Sequence, residues 1–510
     1  MVSNRSFGSG IDAPAPDRAA DSGRAAPVSP LLLAARQRAC RTIVPSLLLL
    51  AAGCARWQPL LYPSRFDTLH PPARLQADTT RALELIREVH PDPFYHLSED
   101  AFADRVRALR DRLDVPMTRR EFACRLAPLL AALDDGHTRV RFPETDYLQY
   151  QRAGGRVFPL TVRVVPADAE TTGPAVVAVA AAAPGDVPLP CRLSAINGRP
   201  ISEVMDLFMR LTSGRNAAYR SHCVGENFGR LLWLTHMPPP FRVVWHNAHG
   251  RYGTALTSGI DPAEPPQAPL GWRVYSPAAG IRCLEWNAMT GSAKAFEAAL
   301  SKLFQDLQKT DGRGLIIDLR YNSGGNSGFA DMLLRYLTRK PYRLNAAKRW
   351  RLSPTYRRYA RRMGYRSRRL DANPADGAVH VFSAPWRTPA RAETLFQGPV
   401  AVLIGPGTYS SAALLADTLR EFGLGTLFGA MTGGSPGGFG EICTARLPRT
   451  QLELDIASAR FVRLNGNPED RAGVRPHQRV TTDAEALLNA EDPVLDAAVA
   501  WIAETARPDR

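Results

Sequence analysis

Ser410 sits where a nucleophile would have to sit. Thr408-Tyr409-Ser410-Ser411 follows the turn signal Gly405-Pro406-Gly407, which itself follows the apolar run Val400–Ile404. A run of that length reads as a short buried strand, and the apolar spacing from Ala412 to Phe422 reads as a helix. A serine on a sharp turn between a buried strand and a helix has an exposed hydroxyl and backbone N–H groups beside it. Acyl transfer needs that arrangement. The bland alternative is a helix cap, a task Ser performs routinely, and on this stretch alone both readings stand. His137, in Asp135-Gly136-His137-Thr138, is equally double: a histidine at a helix exit is favoured there by the helix dipole, with or without chemistry.

The elements that must position these residues fall into three blocks. Over 77–150 the spacing is helical. Leu83, Ile86 and Val89 share one face, and Phe102, Val106, Leu109 and Leu113 mark a second helix over 99–113. Thr118-Arg-Arg-Glu121 is a capping box that opens a third, running to Leu133. Over 151–265 short strands are predicted at 157–165 and 175–181. Another at 193–202 turns on Asn197-Gly198, after which Ser202 caps a helix. Over 266–510 strands and helices alternate, with strands at 281–286, 314–320, 400–404 and 426–429, the pattern of βαβ units and a largely parallel sheet. A closing helix is predicted over 485–503. Residues 55–76, with Pro59, Pro63, Pro71 and Pro72, read as a tether.

Composition bounds the class. With 510 residues, 45% hydrophobic and 22% charged, the chain is globular and about three domains long. Its net charge of +15 is concentrated: Arg335–Arg369 holds fourteen basic residues and no Asp or Glu. The region 335–395 reads as a solvated basic insertion. Anionic lipid, an acidic polymer or acidic substrate tails are the partners such a surface would suit.

Residues 1–54 read as an extension followed by an export signal. Arg36, Arg38 and Arg41 precede an apolar stretch from Ile43 to Ala52, then Gly53-Cys54. The end Ala-Ala-Gly-Cys resembles a bacterial lipobox, which implies lipidation of Cys54 and a lipid-held position on a membrane surface. Ala55 after the anchor favours the outer membrane, on the periplasmic side. For an exported chain no nucleic-acid partner is expected. Besides Cys40 and Cys54 there are five cysteines, at 124, 191, 223, 283 and 443, without the CxxC spacing of a zinc site.

Three motifs now stand in order: Asp-Gly-His-Thr (135–138), Ile-Asp-Leu-Arg-Tyr-Asn-Ser-Gly-Gly (317–325) and Thr-Tyr-Ser-Ser-Ala-Ala (408–413), with Gly-Val-Arg-Pro (473–476) behind them. Together they resemble the C-terminal-processing, or tail-specific, serine peptidases, over roughly 77–485. The resemblance implies an α/β fold: a ClpP/crotonase-type core, an N-terminal helical domain and an inserted β-rich, PDZ-like module. It also implies a polypeptide substrate and no cofactor or metal. By position Ser410 is the nucleophile, and the amides of Ser411 and of Gly324 or Gly325 form the oxyanion hole. A Gly-Gly turn suits that task, because it lets backbone donors approach a developing oxyanion.

The sequence departs from the pattern at an informative position. The lysine that many members carry about 25 residues after the serine is here Ser435, and no lysine follows Lys348. What remains resembles the tricorn-like branch, in which a histidine is the base. That points to His137, with Glu469 or Asp470 as the acidic residue ahead of Gly-Val-Arg-Pro and His477 as a secondary base. The serine that precedes the histidine in that branch is here Gly136. Two other readings stay open: an inactive binding protein on the same scaffold, and an envelope adaptor working through the basic insertion.

Overall fold

Gly314–Asp318 and Val400–Ile404 are buried at every residue, as strands covered on both faces must be. In the computed structural model they lie side by side and parallel, Leu315 opposite Val400 and Asp318 opposite Leu403. Their six-stranded sheet runs Trp272–Ala278, Ile281–Trp286, Gly314–Asp318, Val400–Ile404, Thr426–Gly429, Gln478–Arg479, and only its first pair is antiparallel. Alternate residues face opposite sides, and each side has its own cover. Leu315, Ile317, Val400 and Val402 meet the helices Ala293–Lys309, Gly328–Leu334 and Ser411–Glu421. Ile316, Ala401 and Leu403 meet Val494, Ala498 and Ile502 of the helix Pro493–Thr505. The structure describes residues 65–506 apart from 167–172, 183–184, 186, 262–270, 310–311, 366–376 and 390–394. The export signal, Cys54 and residues 55–64 lie outside the described residues.

A second sheet corrects the reading of the basic run. Ala347–Arg351 pairs with Val379–Ser383 on one side and with Glu453–Val462 on the other. Phe439–Arg446 completes this sheet, and the short strand Arg139–Val140 joins it along Glu453–Val462. The described part of the run is therefore folded into the protein, not a solvated insertion. Its charges find partners far away in sequence. Arg335 pairs with Glu297 at 2.6 Å, Lys348 pairs with Glu441, and Arg351 donates to the Arg87 carbonyl at 2.7 Å. Tyr356 is buried and Trp350 donates to Ser458 at 3.1 Å. The aromatics that interleave the arginines are thus partly core.

The end of the expected tether is folded too. Leu69–His70 pairs with Met117–Thr118, and a helix runs Pro72–Val89 with Pro72 in its first turn. A proline there costs nothing, since its missing N–H would lack a helical acceptor anyway. Asp78 of that helix is fully buried and accepts from the Thr450 amide and hydroxyl, both at 2.6 Å, and from the Arg449 amide at 3.0 Å. This ties the first helix to the turn between the last two long strands. The capping box forms as read, Thr118 and Glu121 bonding each other's backbone at the head of Arg119–Ala131. A third sheet, in the order Leu160–Val165, Ala175–Ala181, Cys191–Ile196, Phe241–His246, Tyr252–Thr257, carries the helices Ile201–Leu211, Ala217–Glu226 and Phe228–Leu234. The first of these starts at Ile201 with Pro200 as its cap residue, so Ser202 does not cap it. Among the described residues, all five cysteines are free thiols.

Candidate active site

Two neighbouring parallel strands end side by side, and the loops leaving their carboxyl ends meet. In open α/β sheets such crevices are where ligands bind. From Gly314–Asp318 the chain passes to Asn322-Ser323-Gly324-Gly325. From Val400–Ile404 it passes to Ser410. The second loop is pinned to the first: Thr408 Oγ1 donates to the Leu319 carbonyl at 2.7 Å, and the Tyr409 amide to the Asn322 carbonyl at 2.9 Å. Thr408 Oγ1 also accepts from the Gly405 amide at 3.0 Å. Ser410 is left at φ 51°, ψ −125°, and its side chain makes no capping bond. This left-handed backbone is costly for a residue with a Cβ. Ser410 thus stands at the helix start without its side chain capping it.

The glycines are fitted around the serine. A Cβ on Gly324 (φ +93°) would sit 2.7 Å from the Ser410 Cβ, and one on Gly325 (φ +132°) 2.4 Å from the Met289 carbonyl oxygen. The Gly324 amide is already engaged, donating to Asn322 Oδ1 at 2.9 Å. That leaves the Gly325 amide as the glycine candidate for an oxyanion donor. Ser411 Oγ donates to the Gly325 carbonyl at 2.7 Å and holds the two loops in register.

His137 reaches this place from the second sheet. Thr138 Oγ1 accepts from the Ala457 amide at 3.1 Å, and Arg139–Val140 pairs with Leu454 and Asp455. His137 is buried, and its Nε2 has no hydrogen-bond partner in the protein. Its Nδ1 faces Asp135 Oδ1 at 3.7 Å and the Tyr409 hydroxyl at 3.4 Å. Asp135 is itself fixed, accepting from the His137 amide at 2.9 Å and from the Thr138 hydroxyl at 2.6 Å, with His90 Nε2 at 3.4 Å. Burial opposes ionisation of this carboxyl, but the adjacent His137 and His90 imidazoles outweigh it and hold Asp135 well below the usual carboxylate range.

Asp135 and Tyr409 are the residues that sequence reasoning did not assign. The signal for Asp135 was its place two residues before His137. Tyr409 explains Gly136: a Cβ there would lie 2.3 Å from the Tyr409 hydroxyl. The space a serine side chain would need is filled by a phenol arriving from the Ser410 loop. Its ring stacks on Tyr219 at 4.1 Å and lies 4.8 Å from the His137 ring.

The remaining candidates separate. Ser410, His137, Gly324, Gly325, Ser411, Glu469 and Asp470 all line one cavity of about 1340 Å³. Neither acid of the 469–470 pair is a partner of His137. Glu469 is exposed and accepts from Tyr95 and, at 3.0 Å, from Arg460. Asp470 lies 3.3 Å from Arg463, which forms a buried pair with Asp417 of the serine's helix at 2.6 Å. His477 is exposed, accepts from the Leu427 amide at 2.9 Å, and does not line the cavity. Lys348 does line it, but is paired with Glu441.

Residues 281–480 match Peptidase family S41. In fold the chain is similar to mature CPAF complexed with lactacystin, with a TM-score of 0.59 at 14% identity, over 85% of this chain and 98% of that one. A crystal structure of mature CPAF gives 0.58 at 13%, over 85% and 96%. The photosystem II D1 C-terminal processing protease aligns more loosely, at 0.41 and 17%, over 83% and 98%. No curated protein matches the chain in sequence.

Proposed function

We propose that this chain, whose residues 281–480 match Peptidase family S41, is a serine endopeptidase working through an acyl-enzyme, with Ser410 as nucleophile and His137 as base. The observation that carries this reading is the pairing of two features in one cavity: a strained serine that caps nothing and a buried histidine nitrogen with no partner. Asp135, anionic beside Nδ1, favours the tautomer with its proton on Nδ1 and the Nε2 lone pair free. Ser410 Oγ attacks the peptide carbonyl as Nε2 takes its proton. The oxyanion that forms is held by the amides of Gly325 and Ser411, the second at the start of a helix whose dipole favours negative charge. Nε2 then returns the proton to the leaving amine, and water repeats the cycle on the acyl ester.

The test is covalent labelling of the purified protein with a serine-directed fluorophosphonate. Labelling of the parent at Ser410, absent in Ser410→Ala, is the expected result. A folded parent that takes no label and cuts no unstructured polypeptide would sink the peptidase reading in favour of a binding protein.

The envelope location belongs to the same proposal and is supported by residues 36–54 alone. Its check is the mass of the mature N-terminus. A diacylglycerol on Cys54 is expected, and an unmodified Cys54 would remove the anchor.

A further inference from the structure

Arg471 is a buried cation with two of its three nitrogens unpaired. It lies in the loop between Glu453–Val462 and Gln478–Arg479, is 9% exposed, and lines the cavity that holds Ser410 and His137. Its guanidinium carbon sits 3.1 Å from the Tyr95 ring centroid and 4.8 Å from that of Phe439. Rings on the guanidinium faces leave hydrogen bonding to the edges of its plane. One edge is used, Nη1 meeting His96 Nε2 at 3.0 Å. Nε and Nη2 have no protein partner. These two N–H groups are adjacent and parallel, the side-on fork that matches both oxygens of a carboxylate.

Nearby carboxylates do not fill it. Glu469 is taken by Tyr95 and Arg460, and Asp470 by Arg463 and Asn465. Burial and the neighbouring Arg460 guanidinium push Arg471 down to about 10. The Nε and Nη2 donors are therefore unmet, and Arg215 lines the same cavity. Burying a guanidinium without its hydrogen bonds is expensive. A site built that way is stabilised when an anion arrives.

We propose that Arg471, with His96 locking its orientation, is a carboxylate-binding subsite of the catalytic cavity, and that it takes a carboxylate of the polypeptide substrate. The carboxylate is either an Asp or Glu side chain or the free C-terminus. The inference rests on the peptidase reading for the identity of the ligand, so its test reads binding, not turnover.

Three fluorescent Ala/Ser/Gly peptides of one length are titrated into Ser410→Ala protein and followed by anisotropy. One is amidated and neutral, one is amidated with a single Glu, and one is neutral with a free C-terminus. At least one carboxylate form is expected to bind about 10- to 100-fold tighter than the neutral amide, the worth of a charge-assisted pair. Which form does so identifies the source. In Arg471→Lys, which keeps the charge but loses the fork, the ratio is expected to shrink severalfold, and in Arg471→Met to approach one. Equal affinity for all three peptides on the arginine-bearing protein overturns the proposal without any variant having to fold. Hydrolysis of a neutral peptide by the parent in that case would leave the peptidase reading intact. Loss of labelling at Ser410 with the affinity ratio preserved would do the reverse.

Discussion

Ser410→Ala and His137→Ala are each expected to lower kcat for peptide hydrolysis by about 10⁶-fold, and the double variant to be no slower than either. The reason is that the two residues act in one event. Removing the serine leaves the base with no proton to take. Removing the base leaves a hydroxyl too weak to attack at neutral pH. Residual rates would come from the Gly325 and Ser411 amides and from substrate binding. Single-turnover kinetics on the two singles and the double decides the matter. Losses that multiply in the double would mean that His137 works independently of Ser410, and the acyl-enzyme mechanism written here would be wrong. Ser410→Ala should melt near the parent, since Ser410 Oγ makes no capping bond, whereas His137→Ala removes a buried ring beside Asp135 and Tyr409 and is expected to melt lower.

Asp135→Asn is expected to cost about 10⁴ in kcat, the worth of the orienting carboxylate in a Ser–His–Asp site. The amide carries no charge to favour a proton on Nδ1, so the imidazole is free to place it on Nε2 and lose its function as base. Stability offers an independent readout with a definite sign. The folded-state pKa of Asp135 is depressed, so its contribution is present above the unfolded value of about 3.9 and is lost as pH falls through the folded value. The stability gap between parent and variant should therefore be flat from neutrality down to the ordinary carboxylate range, and close only below it. A gap that closes near neutrality would show that another group holds the histidine. A kcat within tenfold of the parent would return the orienting role to Glu469 or Asp470.

The parts of the site that were legible in the sequence are those whose neighbours are close in the chain. Val400–Ile404 and Gly314–Asp318 are apolar runs that announce buried strands. Gly324-Gly325 and Gly405-Pro406-Gly407 announce turns. The Thr118–Glu121 box is a bond between neighbours. What the sequence hid are pairings across long separations. Arg335–Arg369 looked solvated because its counter-charges, Glu297 and Glu441, lie outside it, and because its strand partner is Glu453–Val462. Glu469 and Asp470 lay ahead of the right motif, but in the fold their bonds run to arginines. The acid beside His137 came from its own turn. Pro71-Pro72 looked like a break, but a proline in the first helical turn begins a helix.

The docking of Arg139–Val140 on Glu453–Val462 has a consequence in time. His137 is synthesised before Ser410, and the strand that seats it comes after both. The contact between Thr138 and Ala457 spans 319 residues, a closure whose entropy must be spent before any reward arrives. A nascent chain that has reached residue 450 holds Ser410 and His137 but not the strand Glu453–Val462. On the proposed mechanism, a chain made only as far as residue 450 lacks the strand on which the His137 turn docks.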